Sequence, residues 1–97
     1  MEAYSPSTDT WATKASLPEG RVNLASAATG GILYILGGLN TDAVSAYNPA
    51  TNVWTTKASL PEAELTMGAA VAGGLIYVVG GKDSNSTPLA TMAAYWP

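Results

Sequence analysis

The chain contains no cysteine and no histidine. These two absences exclude disulfides, thiolate nucleophiles, imidazole bases and nearly every zinc, copper or haem site. A chain without thiols is also indifferent to redox compartment, so the missing cysteines leave localisation unknown. Charge is scarce: 11% of the residues are charged, four basic against seven acidic, for a net charge of -3. A weakly acidic surface argues against nucleic acid or an anionic membrane as partner. Long apolar runs are missing too. They stop at strand length, as in Leu75–Val79, far short of the roughly 20 residues a membrane helix needs. Met1–Pro6 has neither the basic nor the apolar region of a signal peptide, so a soluble chain without an address is expected.

What is abundant is apolar surface, 47% of 97 residues. That share is too high for a disordered chain, and the length allows one small domain.

The sequence repeats itself at an offset of 43. Tyr4-Ser5-Pro6-Ser7-Thr8-Asp9-Thr10-Trp11 returns as Tyr47-Asn48-Pro49-Ala50-Thr51-Asn52-Val53-Trp54. Lys14-Ala15-Ser16-Leu17-Pro18-Glu19 returns as Lys57-Ala58-Ser59-Leu60-Pro61-Glu62. Over the ungapped span from Tyr4 to Gly38, 17 of 35 positions are identical to those from Tyr47 to Gly81, which removes chance as an explanation. A third copy begins at Ala94-Tyr95-Trp96-Pro97, after a five-residue insertion between Gly81 and Tyr95. The registers are 4–46 and 47–94.

Within each register, turn chemistry separates short strands. Ile32–Leu36 and Leu75–Val79 are β-branched and aromatic runs between glycine pairs able to take positive φ. The Ala-rich stretches Leu24–Thr29 and Met67–Ala72 are too short to nucleate helices before Gly-Gly and are read as strands. Ala43–Tyr47 and Leu89–Tyr95 supply a third strand type; Thr10–Lys14 and Val53–Lys57 supply a fourth. Asn48–Asn52 is a turn, with Pro49 presetting φ and the Asn side chains bonding locally. Four strands per 43–48 residues fits a propeller blade.

Gly-Gly after a Tyr-containing strand, then Tyr-x-Pro, then Trp seven residues past the Tyr, resembles the kelch repeat. Gly37, Gly38, Tyr47, Pro49 and Trp54 fill the pattern once; Gly80, Gly81, Tyr95 and Pro97 begin it again, and Tyr4, Pro6 and Trp11 finish an earlier copy. The resemblance implies an all-β, kelch-type β-propeller, about two four-stranded blades per chain, with the Ala-rich strand innermost. Its glycines, with Tyr4, Tyr47, Tyr95, Trp11 and Trp54, are then structural. Two features depart from the pattern. Arg21 stands where a basic residue is common, but Glu64 holds the equivalent place in the second register, and Trp96 takes the turn position of Ser5 and Asn48.

A closed propeller needs at least four blades. Two alone leave apolar flanks and unpaired strand edges in water. The expectation is therefore a cyclic homo-oligomer with heterologous contacts. The N-terminal strands of one chain would complete a blade started by another chain's C-terminus. Six blades from three chains are favoured, eight from four come second, and one of the two terminal copies of the third strand is displaced.

No catalytic, cofactor or metal site emerges from the residues. There is no phosphate-binding glycine motif. Asp83-Ser84-Asn85-Ser86 lacks the Gly and distal Glu of a calcium loop, and Asn85-Ser86-Thr87 is formally a glycosylation sequon. No nucleophile, base and orienting group can be named together, so the chain is read as a non-enzyme. The two registers differ most in the loops joining strand four to one and two to three. Residues Arg21, Asn23, Glu64, Thr66, Asn40, Asp42, Asp83 and Asn85 lie there and form the candidate ligand face, with Arg21 and Glu64 alternating around the channel mouth. The leading reading is a non-catalytic, self-assembling scaffold, whether a natural fragment or a designed unit. A protein- or glycan-binding module is the alternative, and a fragment of a kelch-containing carbohydrate oxidase the third.

Overall fold

The computed structural model describes residues 1–17, 20, 23–38, 41–61, 67–83, 85, 87, 88, 90, 92–95 and 97. Among them every regular element is a β-strand: β1 (Glu2–Ser5), β2 (Thr10–Thr13), β3 (Ala25–Thr29), β4 (Ile32–Leu36), β5 (Val44–Asn48), β6 (Val53–Lys57), β7 (Gly68–Ala72), β8 (Leu75–Val79) and β9 (Met92–Tyr95). They form three antiparallel sheets: the hairpin β1-β2, the four-stranded meander β3-β4-β5-β6 and the three-stranded β7-β8-β9.

Local chemistry explains each boundary. Gly30 and Gly31 take φ of 59° and 76°, and Gly73 and Gly74 repeat this at 58° and 78°. Two successive positive φ values are what a two-residue hairpin needs to match strand twist. A Cβ at these positions would meet no atom within 4 Å, so the requirement for glycine is conformational, not spatial. The turns set the registers Thr29↔Ile32 and Ala72↔Leu75. A one-residue slip would turn each apolar row outward.

The alternation that results builds one core between the two larger sheets. Tyr34 and Leu36 of β4, Val44 and Ala46 of β5, and Ile76 and Val78 of β8 meet there with Ala25, Leu60 and Met67. Leu36, Val44 and Ile76 are fully buried, each side chain contributing on the order of 1.5–3 kcal/mol. The first strands of the two larger sheets, β3 and β7, lie side by side. Tyr95 of β9 packs edge-on against Tyr34, ring centroids 5.9 Å apart. Leu60 is placed by its amide, which donates to the Asp42 carbonyl at 2.8 Å.

Burial is uneven. Four of the five residues of β5 are buried, whereas all four of β2 are exposed. The radius of gyration is 14.0 Å, against about 12.5 Å for a compact domain of this length. The structure is elongated, with principal extents of 43 × 29 × 22 Å.

Candidate functional site

The most developed polar constellation sits at the β5-β6 turn. Asn48 Oδ1 accepts from the Ala50 amide at 2.9 Å and the Asn48 carbonyl accepts from the Asn52 amide at 2.8 Å. Closing that turn puts Asn52 at φ 56°, a left-handed conformation that Asn tolerates better than most residues. Asn52 Oδ1 then accepts from the Tyr47 hydroxyl at 2.6 Å and from the Ala15 amide at 2.9 Å. Trp54 Nε1 donates to the Ala15 carbonyl at 2.9 Å. Rings Tyr47 and Trp54 lean together at 5.0 Å and 45°. Two side chains thus grip both polar groups of one backbone residue, as a neighbouring strand would. The gripped residue belongs to the link that leads out of the N-terminal hairpin.

That hairpin carries a second clamp of the same design. The Tyr4 hydroxyl donates to Asp9 Oδ1, Asp9 has φ 53°, and Tyr4 and Trp11 lean together at 5.2 Å and 50°. The bond to the Asp9 carboxylate, with a smaller contribution from burial, raises the Tyr4 hydroxyl pKa above its ordinary value. This clamp is exposed, Trp11 at 68%.

Two cavities open, one on a face of the four-stranded sheet and one between the two larger sheets. One, of about 260 Å³, lies on the β4-β5-β6 face that turns toward β7-β8-β9 and is lined by Tyr34, Ala46, Val53 and Lys57 among others. The other, of about 140 Å³, is lined by the link Ala58–Pro61 with Val44, Val78, Ala93, Ala94 and Tyr95. Burial, and then the nearby Tyr34, raise the Tyr95 hydroxyl pKa.

The loop-face residues are placed more sparsely. Asp42 lies beside the Leu60 link through its carbonyl, so a two-to-three loop and a four-to-one link share one face. Asp83 Oδ1 accepts from the Asn85 and Thr87 amides, both at 2.9 Å, which spends that carboxylate oxygen on its own turn. Asn23 is exposed at φ 57°. Arg21, Asn40, Glu64 and Thr66 lie outside the described residues. Gly37, Gly38, Gly80 and Gly81 all have positive φ and close the ends of β4 and β8. No three acidic residues gather as a metal site among the described residues, and no helix there is long and apolar enough to cross a membrane. The role of Ala15 and of the Asn52/Asp9 position was missed from sequence. The signal was available: Asn or Asp recurs five residues after each repeat Tyr and two before each Trp, and Lys-Ala-Ser-Leu-Pro-Glu recurs unchanged.

Four-stranded antiparallel meanders packed side by side through their first strands define the blade class of all-β repeat proteins. Residues 20–61 match the family model described as the Kelch motif. Over 42 residues the chain is 43% identical to alpha-scruin of Limulus polyphemus, an alignment covering 43% of this chain and 5% of that protein. Residues 20–61 therefore carry a kelch motif, and the antiparallel sheets have the form of kelch β-propeller blades, whole or partial.

Proposed function

We propose that the chain is a non-catalytic scaffold that closes into a β-propeller by associating with copies of itself, three chains giving six blades and four giving eight. In this reading residues 4–46 and 47–94 are the two repeat registers. The supporting observation is the division into sheets of two, four and three strands. The hairpin has the form of strands three and four of a blade, and β7-β8-β9 the form of strands one to three. Each lacks what the other holds. Among the described residues, exposure of large apolar side chains is greatest at these two places, with Trp11 at 68% and Met92 at 67%. An accessible surface of 5739 Å² exceeds the roughly 5,200 Å² of a compact monomer this size.

Light scattering on the purified chain tests this reading. The expected mass is three times 9.9 kDa, with four times the second outcome. A compact, fully ordered monomer at micromolar concentration would end it.

The second reading is a protein- or glycan-binding surface on the face that carries Asn23, Asp42, Asp83 and Asn85, together with Arg21, Asn40, Glu64 and Thr66. It is favoured by the Asp42–Leu60 bond, which brings the two loop types together. A glycan and peptide array probed with the chain distinguishes it from a scaffold without ligand.

A further inference from the structure

The chain holds two copies of the clamp and two copies of the link that it grips, yet joins only one of each. The clamp Tyr47-Asn52-Trp54 closes on Ala15. Among the described residues, the remaining link, at Ala58, and the remaining clamp, Tyr4-Asp9-Trp11, have no such match. They belong to different sheets, the clamp to the β1-β2 hairpin and the link to the seam between the two larger sheets. We propose that they match each other between copies: Trp11 of a second copy enters the cavity beside Ala58 and Tyr95, and its Asp9 completes the grip. The proposal rests on the ring reading above and assigns the atoms of its junction.

The cavity is the counterpart of the Trp54 seat. Trp54 touches the Ala15 backbone and the Tyr47 ring; the cavity is walled by Ala58 and Tyr95, the same two positions one register on. It lies at β9, the last strand of the three-stranded sheet. Strand β2 would pair along β9 as β6 pairs along β5. Copying Tyr47↔Trp54 and Val44↔Lys57 gives Tyr95↔Trp11 and Met92↔Lys14. Trp11 Nε1 would donate to the Ala58 carbonyl, and Asp9 Oδ1 would accept from the Ala58 amide and the Tyr95 hydroxyl. Charge agrees as well. Asn52 is replaced by Asp9 only in the clamp that must find a separate molecule, and the residue before Ala58 is Lys57, a cation at the receiving site.

The edge of β2 that this pairing needs is held by β1, through Tyr4↔Trp11, so β1 must yield. An isolated two-stranded hairpin is marginally stable in water, which makes the exchange accessible. The opposite exchange, β1 replacing β9, would set Glu2 across from Val78, where Ala93 now faces the cavity. A carboxylate at that apolar site is disfavoured.

The test uses the 97-residue chain and three variants, followed by sedimentation from sub-micromolar to high micromolar concentration. Trp11→Ala should weaken association at least tenfold while circular dichroism stays that of the parent, since Trp11 is exposed within the chain. Ala58→Pro removes the amide that Asp9 would engage, and Lys57 before it is already extended as a residue preceding proline requires; it too should lose self-association. Mixing the two should restore one good junction, Trp11 of the Ala58→Pro chain in the intact seat of the Trp11→Ala chain, and yield a discrete heterodimer. Deleting residues 1–5 should leave association unchanged or stronger. Oligomers indifferent to Trp11→Ala, a mixture that stays monomeric, or a deletion that abolishes association would each overturn the junction while leaving ring formation standing. A parent chain monomeric throughout would overturn both.

Discussion

Two clamps of nearly the same sequence sit 43 residues apart, one with Asn52 and one with Asp9, and differ most in their surroundings. At Tyr47-Asn52-Trp54 the rings lie 5.0 Å apart at 45° with Asn52 at φ 56°; at Tyr4-Asp9-Trp11 they lie 5.2 Å apart at 50° with Asp9 at φ 53°. Local geometry is the same. Burial is not: Tyr47 is 4% exposed and Tyr4 44%. The internal shape of a clamp therefore follows from its own few residues, whereas its contribution to stability depends on whether a link lies beneath it. The links contrast in the opposite sense, since the one held by a clamp is the less buried of the two. Leu60 is buried in the core between two sheets, and Leu17, its equivalent in an identical hexapeptide, is half-buried.

The largest expected effect sharpens the comparison of links. Leu60→Ala should lower unfolding free energy by about 3 kcal/mol, in the range for a buried Leu that leaves a cavity, and Leu17→Ala by no more than about 1 kcal/mol. Urea titration of both variants checks it, and equal losses would break the contrast. Next come the clamps. At concentrations where the chain is dispersed, Trp54→Ala should remove about 2–3 kcal/mol through lost packing and the bond to Ala15, and Trp11→Ala less than about 0.5 kcal/mol.

The smallest effect is a pH dependence. The Tyr95 hydroxyl pKa is raised from 10.0 by burial and by Tyr34, so the folded chain holds that proton more tightly than the unfolded chain. Stability from this source is complete below about pH 10 and is lost as pH rises through the folded value. Thermal melts above pH 10 should fall less steeply for Tyr95→Phe than for the parent.

Much of the fold was legible from local chemistry. The Gly-Gly pairs at 30–31 and 73–74 require positive φ and so mark the hairpins. The runs Ile32–Leu36 and Leu75–Val79 became β4 and β8 over the same residues, and the turn at Asn48–Asn52 closes as its side chains dictate. The third strand type shifted from 43–47 to Val44–Asn48, because pairing partners rather than propensity decide where a strand ends, and within 89–95 the described strand is Met92–Tyr95, with 89 and 91 outside the described residues. The candidate site was legible only in part. Tyr47 and Trp54 stand out by spacing, but Ala15 contributes an amide and a carbonyl, and no side-chain pattern announces a backbone contact.

Composition and repetition alone determined that the chain is all-β, lacks thiol and imidazole chemistry, and repeats with a period of a blade. Tertiary structure alone decided which copy of each repeated motif is engaged. Identical hexapeptides have identical local preferences, but how far their apolar residues leave water depends on what stands opposite: Leu60 lies in the core between two sheets, whereas Leu17, on the link held by Asn52 and Trp54, stays half-buried.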